Sequence, residues 1–115
     1  DVLEHVFRPH KAIADMMRVI RPGGCCAFTV PVYSTLDSSR LRAIQTPEGS
    51  VEYRMKPVYH GSPTGDGRSL VTWDYGADFP KKLERWSGRP VVRLNPADAY
   101  QGIEGQFLDV FLIWK

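Results

Sequence analysis

The sequence predicts an α/β fold built on an open sheet, and three observations carry that expectation. Apolar residues recur at helical spacing through Ile13, Met16, Met17 and Ile20, and again through Phe79, Leu83 and Trp86. Short apolar runs at 25–30, 91–94 and 106–114 suit strands. The two patterns alternate along the chain instead of segregating, which favours a sheet covered by helices over a bundle or a sandwich.

Each element has its own signal. Pro9 sits where a first helical turn tolerates proline, so a helix with one buried stripe is expected from there to Ile20, stopped by Arg21-Pro22-Gly23-Gly24. Cys25-Cys26-Ala27-Phe28-Thr29-Val30 is nearly all apolar and is expected as a strand covered on both faces, ended by Pro31. From 32 to 68 the periodicity fails, apart from a short helix expected over 38–44 and an alternating stretch through Val51, Tyr53 and Met55. A span this long is unusual without regular structure, so 32–68 is read as an inserted segment covering the substrate side of a pocket. Residues 62–67 are turn material, and 69–75 read as one strand. Asp78 is expected to cap a helix that Gly88 ends. Strands at 91–94 and 106–114 complete the chain, the last buried centrally because only Asp109 interrupts its apolar residues.

The size and charge narrow the function classes. With 115 residues the chain is read as one domain, 1–115, and its 43% hydrophobic and 24% charged content exclude disorder as the main description. A net charge of +2 is far from the concentrated charge of a nucleic-acid or anionic-lipid binder, so no nucleic acid is expected as partner. No apolar stretch approaches the roughly 20 residues of a membrane span, and a cytoplasmic location with no membrane association is expected. Cys25 and Cys26 are adjacent, so on a strand they point to opposite faces; they are read as small core residues in a reducing compartment. Asp1 opens directly into Val2-Leu3-Glu4-His5-Val6 without an initiator methionine, and is expected to lie inside an element that the chain's start has cut.

Two blocks carry a resemblance. Asp1-Val2-Leu3-Glu4-His5-Val6, and then a helix closing on Arg18-Val19-Ile20-Arg21-Pro22-Gly23-Gly24 before Phe28-Thr29-Val30-Pro31, resemble the second half of class I S-adenosylmethionine-dependent methyltransferases of the type 11 kind. The resemblance covers about the first third of the chain. It implies the carboxyl-terminal part of a Rossmann-like methyltransferase sheet, with an antiparallel last strand inserted between its two predecessors. It also implies that residues 1–6 stand at the carboxyl end of a strand, where open α/β sheets bind ligands. The family's glycine-rich turn and ribose-binding acid would both precede Asp1. The chain alone is therefore expected to be an incomplete catalytic domain that binds the cofactor weakly. The glycines at 61, 65 and 67 follow no clear strand and open no helix, so they do not replace that turn.

On the resemblance, Asp1, Val2, Leu3 and Glu4 would contact S-adenosylmethionine, with Asp1 the stronger candidate. His5 would lie near the transferred methyl group, and an imidazole can accept a proton from a hydroxyl or amine; equally, it could order the turn. Adjacent positions in one turn do not close a coordination shell, so no metal is expected from Asp1, Glu4 and His5. Tyr33 should leave the sheet at its ligand-binding end. Tyr59-His60-Gly61 and Trp73-Asp74-Tyr75 combine stacking surfaces with polar tips, as a small-molecule pocket uses, with core packing the other reading of Trp73. Arg40, Arg42, Arg54, Lys56 and Arg68 would form either a positive lid or a solvated face.

The function expected is methyl transfer to an oxygen or nitrogen of a small molecule. The alternative is a non-catalytic α/β fragment or interaction module that binds no cofactor unaided; on either reading the isolated chain is expected to self-associate. A nicotinamide-dependent dehydrogenase shares the sheet logic but lacks its glycine fingerprint here.

Overall fold

The computed structural model describes residues 1–62 and 64–115; Pro63, within the turn expected at 62–67, lies outside the described residues. The chain starts with a 3-10 turn, Leu3–His5, followed by helix α1, Pro9–Val19. Pro9 occupies the first helical position, where its missing N–H would have had no partner and its fixed φ already suits the helix. Ile13 and Met17 form the buried stripe. Strand β1, Cys25–Thr29, comes next.

The middle of the chain contains only short strands. These are β2, Arg40–Leu41; β3, Ala43–Gln45; β4, Val51–Tyr53; β5, Tyr59–Gly61; β6, Arg68–Leu70; and β7, Trp73–Asp74. β3 with β4 and β5 with β6 form two hairpins, while β2 pairs with β7 across about a quarter of the sequence. Helix α2, Phe79–Ser87, strand β8, Val91–Leu94, a 3-10 turn, Ala99–Gln101, and strand β9, Val110–Trp114, complete the chain.

The principal sheet has the order β1-β9-β8, with β9 antiparallel to both neighbours. β1 and β8 thus run the same way, and their carboxyl ends meet the start of β9 at one end of the sheet. Both helices pack on one face. Ile13, Met17, Phe79 and Leu83 meet Phe111 and Ile113 of the central strand, with Cys26, Phe28 and Val91 packed beside them. Each fully buried large side chain here stabilises the fold by about 1.5–3 kcal/mol. Val30, Val32 and Tyr75 extend this core towards the carboxyl end of β1.

Several expectations change. Among the described residues β1 pairs with antiparallel β9 alone and both helices lie on one side of it, so its other face is open; Cys25, Ala27 and Thr29 are exposed. Cys25 is accordingly a surface residue, whereas Cys26 packs on the core. Residues 38–44 hold β2 and the start of β3 instead of a helix. The strand expected at 69–75 is split, since Val71 and Thr72 turn inward between β6 and β7 and are buried. The last strand is central, but it begins at Val110, not at 106, and Trp114 is exposed.

Asp78 stands at the start of α2 without capping it. Its Oδ1 instead accepts from the Ser39 backbone N–H (2.7 Å) and hydroxyl (2.5 Å), tying the helix to the loop before β2. Gly76 makes that approach feasible: a Cβ there would lie 2.6 Å from the Leu36 carbonyl oxygen. Gly88 ends α2 in the left-handed conformation that a residue without Cβ adopts freely.

Candidate functional site

The opening turn is strapped down from behind. Thr72 does most of this: its N–H donates to the Glu4 carbonyl (2.7 Å), and its hydroxyl lies 3.0 and 3.1 Å from the Glu4 and Val6 carbonyls. The Tyr75 hydroxyl donates to the Leu3 carbonyl at 3.0 Å. Burial, followed by the charge of Glu4, pushes the Tyr75 phenol far above its ordinary range, so it stays a neutral donor. In front, the Thr29 hydroxyl donates to the Asp1 carboxylate at 3.1 Å, fixing the turn beside the carboxyl end of β1. A backbone held from both sides is preorganised for a ligand.

On the β1 side of the turn, Asp1, Val2, Leu3, Val6, Ala12, Met16, Phe28 and Thr29 line a cleft of about 440 Å³. It has apolar walls and one carboxylate, with one Asp1 oxygen bonded to Thr29. Such a lining can face a cationic group with the carboxylate and a carbon chain with the apolar walls. Among the described residues no second acid lines it. Glu4 does not line it. That side chain turns into the protein, where it is 2% exposed and both carboxylate oxygens lack a hydrogen-bond partner.

His5 faces the opposite way, towards the β5–β6 hairpin. Its Nδ1 meets the Leu70 carbonyl at 2.8 Å and its Nε2 lies 3.5 Å from Glu4 Oε1. His60, on β5, stands edge-on to His5 with ring centroids 5.0 Å apart. Three ligand atoms, one each from Glu4, His5 and His60, all lie within 4.8 Å of one another. The sequence separated His60 from the turn by more than fifty positions; hairpin docking joins them.

Tyr33 lines two further clefts. One, of about 280 Å³, includes Leu36, Arg40, Arg42, Val58 and Asp74; the other, of about 390 Å³, includes Arg93, Asn95, Phe107 and Asp109. Burial, then Asp74 and Glu4 against a smaller opposing effect of Arg42, raises the Tyr33 phenol above its ordinary value. Tyr59 is exposed and carries the Arg68 guanidinium over its ring at 5.0 Å. Trp73 stacks parallel to Tyr75 at 6.1 Å with the Lys82 ammonium above it, so it packs against the core and not beside the two histidines.

The basic residues do not form an open cationic patch. Arg42 is held between Asp74 (2.5 Å) and the Lys56 carbonyl, Arg54 pairs with Glu52, and Arg68 with Asp66. Sequence reasoning missed Thr72, whose hydroxyl in an apolar stretch was the available signal, and took Tyr75 for a pocket residue, whereas its hydroxyl holds the Leu3 carbonyl. It also missed the ion pair of Arg93 with Asp109 (2.7 Å), supported by Asn95, all three of which line the cleft of about 390 Å³. No helix among the described residues is long and apolar enough to cross a membrane. Comparison with family models, curated proteins and solved structures finds no match.

Proposed function

We propose that the chain belongs to an S-adenosylmethionine-dependent methyltransferase acting on an oxygen or nitrogen of a small molecule. The observation that carries this reading is the strand order β1-β9-β8, with the last strand antiparallel between its predecessors, in a chain that also begins Asp1-Val2-Leu3-Glu4-His5-Val6. The two features are independent, and the same family resemblance implies both. A Rossmann-like sheet and a cytoplasmic location belong to this proposal.

In this reading Asp1, Val2 and Leu3 hold the methionine side of the cofactor in the cleft beside β1. The cofactor supplies an electrophilic methyl group on a sulfonium. The protein's own contribution is chiefly positioning: a turn fixed by Thr72, Tyr75 and Thr29 holds one reactant while Tyr33, Tyr59 and His60 border the other. His5 has one ring nitrogen committed to Leu70, leaving Nε2 as the atom that can accept a proton. Segment 32–68 supplies part of the acceptor side, through Tyr33, Tyr59 and His60.

The test is transfer of a labelled methyl group from S-adenosylmethionine to candidate hydroxyl and amine acceptors by the natural gene product containing this chain. Tyr59→Ala and His60→Ala should alter acceptor kinetics while cofactor affinity stays within about twofold. Normal acceptor kinetics in both variants would remove the substrate role of the segment. No transfer to any acceptor, together with no cofactor binding, would reject the proposal.

The second reading, a non-catalytic association module, is favoured by one observation. The uncovered sheet face carries Ala27, Val92, Leu94, Leu112 and Trp114, with Val92, Leu94 and Trp114 42%, 48% and 46% exposed.

A further inference from the structure

Glu4 poses a physical problem that the methyl-transfer reading leaves untouched. Its carboxylate is 2% exposed, and neither oxygen has a hydrogen-bond partner. A buried charge without partners costs several kcal/mol, and such groups are normally paired or bound to a cation. His5 Nε2 lies 3.5 Å from Glu4 Oε1. The other ring nitrogen of His5 faces the Leu70 carbonyl at 2.8 Å, a contact in which only an N–H is favourable. In the neutral imidazole, Nε2 therefore presents a lone pair to a carboxylate oxygen, and something positive belongs between them.

We infer that Glu4, His5 and His60 form a binding site for one divalent transition-metal cation of zinc's class. Two imidazoles and one carboxylate are a donor set that zinc accepts with its fourth position open to water or substrate. Magnesium and calcium prefer shells of oxygen, which this site does not offer. The geometry is close to what is needed. Ligand atoms on a tetrahedral zinc ion lie about 3.3 Å apart, given bonds of about 2.0–2.1 Å. The Glu4–His5 separation of 3.5 Å meets this, and the 4.8 Å limit over all three atoms leaves His60 to close by about one ångström or slightly more.

The surroundings are those of a metal ligand. A coordinating histidine usually donates its other ring N–H to a carbonyl or carboxylate, which fixes the ring and the tautomer. Leu70 does this for His5. The backbone of Glu4 is fixed by Thr72, so the carboxylate is aimed by a rigid turn. Bound metal would clip the opening turn to the β5–β6 hairpin, two elements distant in sequence. The site requires no cofactor or methyl acceptor, but it uses His5 and His60, to which the methyl-transfer reading gives other roles. A bound cation and a free base at His5 Nε2 exclude each other, and the experiment decides between them.

The test is titration of the chelator-treated 115-residue chain with zinc chloride by calorimetry and with cobalt chloride by visible absorption. One ion should bind per chain, with four-coordinate cobalt absorption, while magnesium and calcium give no saturable signal. Glu4→Gln, His5→Gln and His60→Gln should each weaken zinc at least tenfold. His60→Gln lies on a surface hairpin and Glu4→Gln removes a buried charge, so both should keep the wild-type circular dichroism. His10→Gln and the Cys25→Ser/Cys26→Ser double variant should bind as wild type. Zinc should raise the melting temperature of wild type but not of His60→Gln. Absence of stoichiometric binding, or binding that survives His5→Gln with His60→Gln or is lost with the cysteines, overturns the site.

Discussion

Thr72 shows how one buried hydroxyl can organise a ligand-binding turn. It is fully buried and contacts two carbonyls of the opening segment. Thr72→Val keeps the shape and leaves carbonyl groups short of a donor, which should cost about 1–3 kcal/mol. Urea denaturation should show a lower midpoint at unchanged slope; an unchanged midpoint would mean that the Thr72 N–H alone holds the turn. Two carboxylates give the fold an acid limit. Asp109 is held below its ordinary range first by Arg93, against burial, with Asn95 adding to the effect. At Asp78 burial works upward, but the Ser39 hydroxyl and N–H with Lys82 outweigh it, and the net shift is downward. A depressed folded pKa means that both groups contribute stability above the usual carboxylate value of about 4, and lose it as pH falls through the lower folded value. Melting temperature should therefore drop on acidification below about pH 4, and Asp78→Asn should flatten part of that drop. An equally steep drop in Asp78→Asn would place the acid sensitivity elsewhere. Of these residues the sequence announced Asp78 as a cap, but not its partner Ser39, because the contact spans 39 positions.

At the scale of elements, the long periodic segments were legible and most of the short ones were not. α1, α2, β1 and β8 follow from apolar spacing with Pro9, Gly88 and Pro31 as punctuation, because each buries a stripe against a common core. Among the strands between Arg40 and Asp74, of two or three residues each, β4 did show in the alternation through Val51 and Tyr53, whereas most of the others are too short for one to register. Leu41 and Ile44 mimic helical spacing, yet β2 finds its hydrogen-bond partners in β7, a pairing invisible to local sequence. Even β1 misled, since an apolar run does not reveal whether one face or two will be covered. The result is a strand with a free edge beside an uncovered apolar face. Such an edge is a template for further pairing, so the isolated chain should self-associate in sedimentation experiments. Val92→Lys with Leu94→Lys, placing charge on that face, should shift the chain towards monomer. A wild-type chain that sediments as a monodisperse monomer would show that the face needs no cover.

Over the whole molecule, several candidate site residues gather at one end of the three-stranded sheet. The opening turn, Tyr33 and the Arg93–Asp109 pair all lie around the carboxyl ends of β1 and β8, where open α/β sheets present their ligands. Asp1 to Glu4 and His5 were legible as a group because they are contiguous. His60 was legible as a candidate but not as a neighbour of His5, and Glu4 divides from Asp1 across the turn, one buried and one lining the cleft. The central claim is that Asp1, Val2 and Leu3 receive the methionine side of S-adenosylmethionine. Calorimetric titration of S-adenosylmethionine into the natural gene product, with Asp1→Ala and His60→Ala alongside, tests it most directly. Saturable binding is expected, weakened about tenfold or more, about 1.4 kcal/mol, by Asp1→Ala and left unchanged by His60→Ala. No binding to the wild type, or binding indifferent to Asp1→Ala, would contradict it.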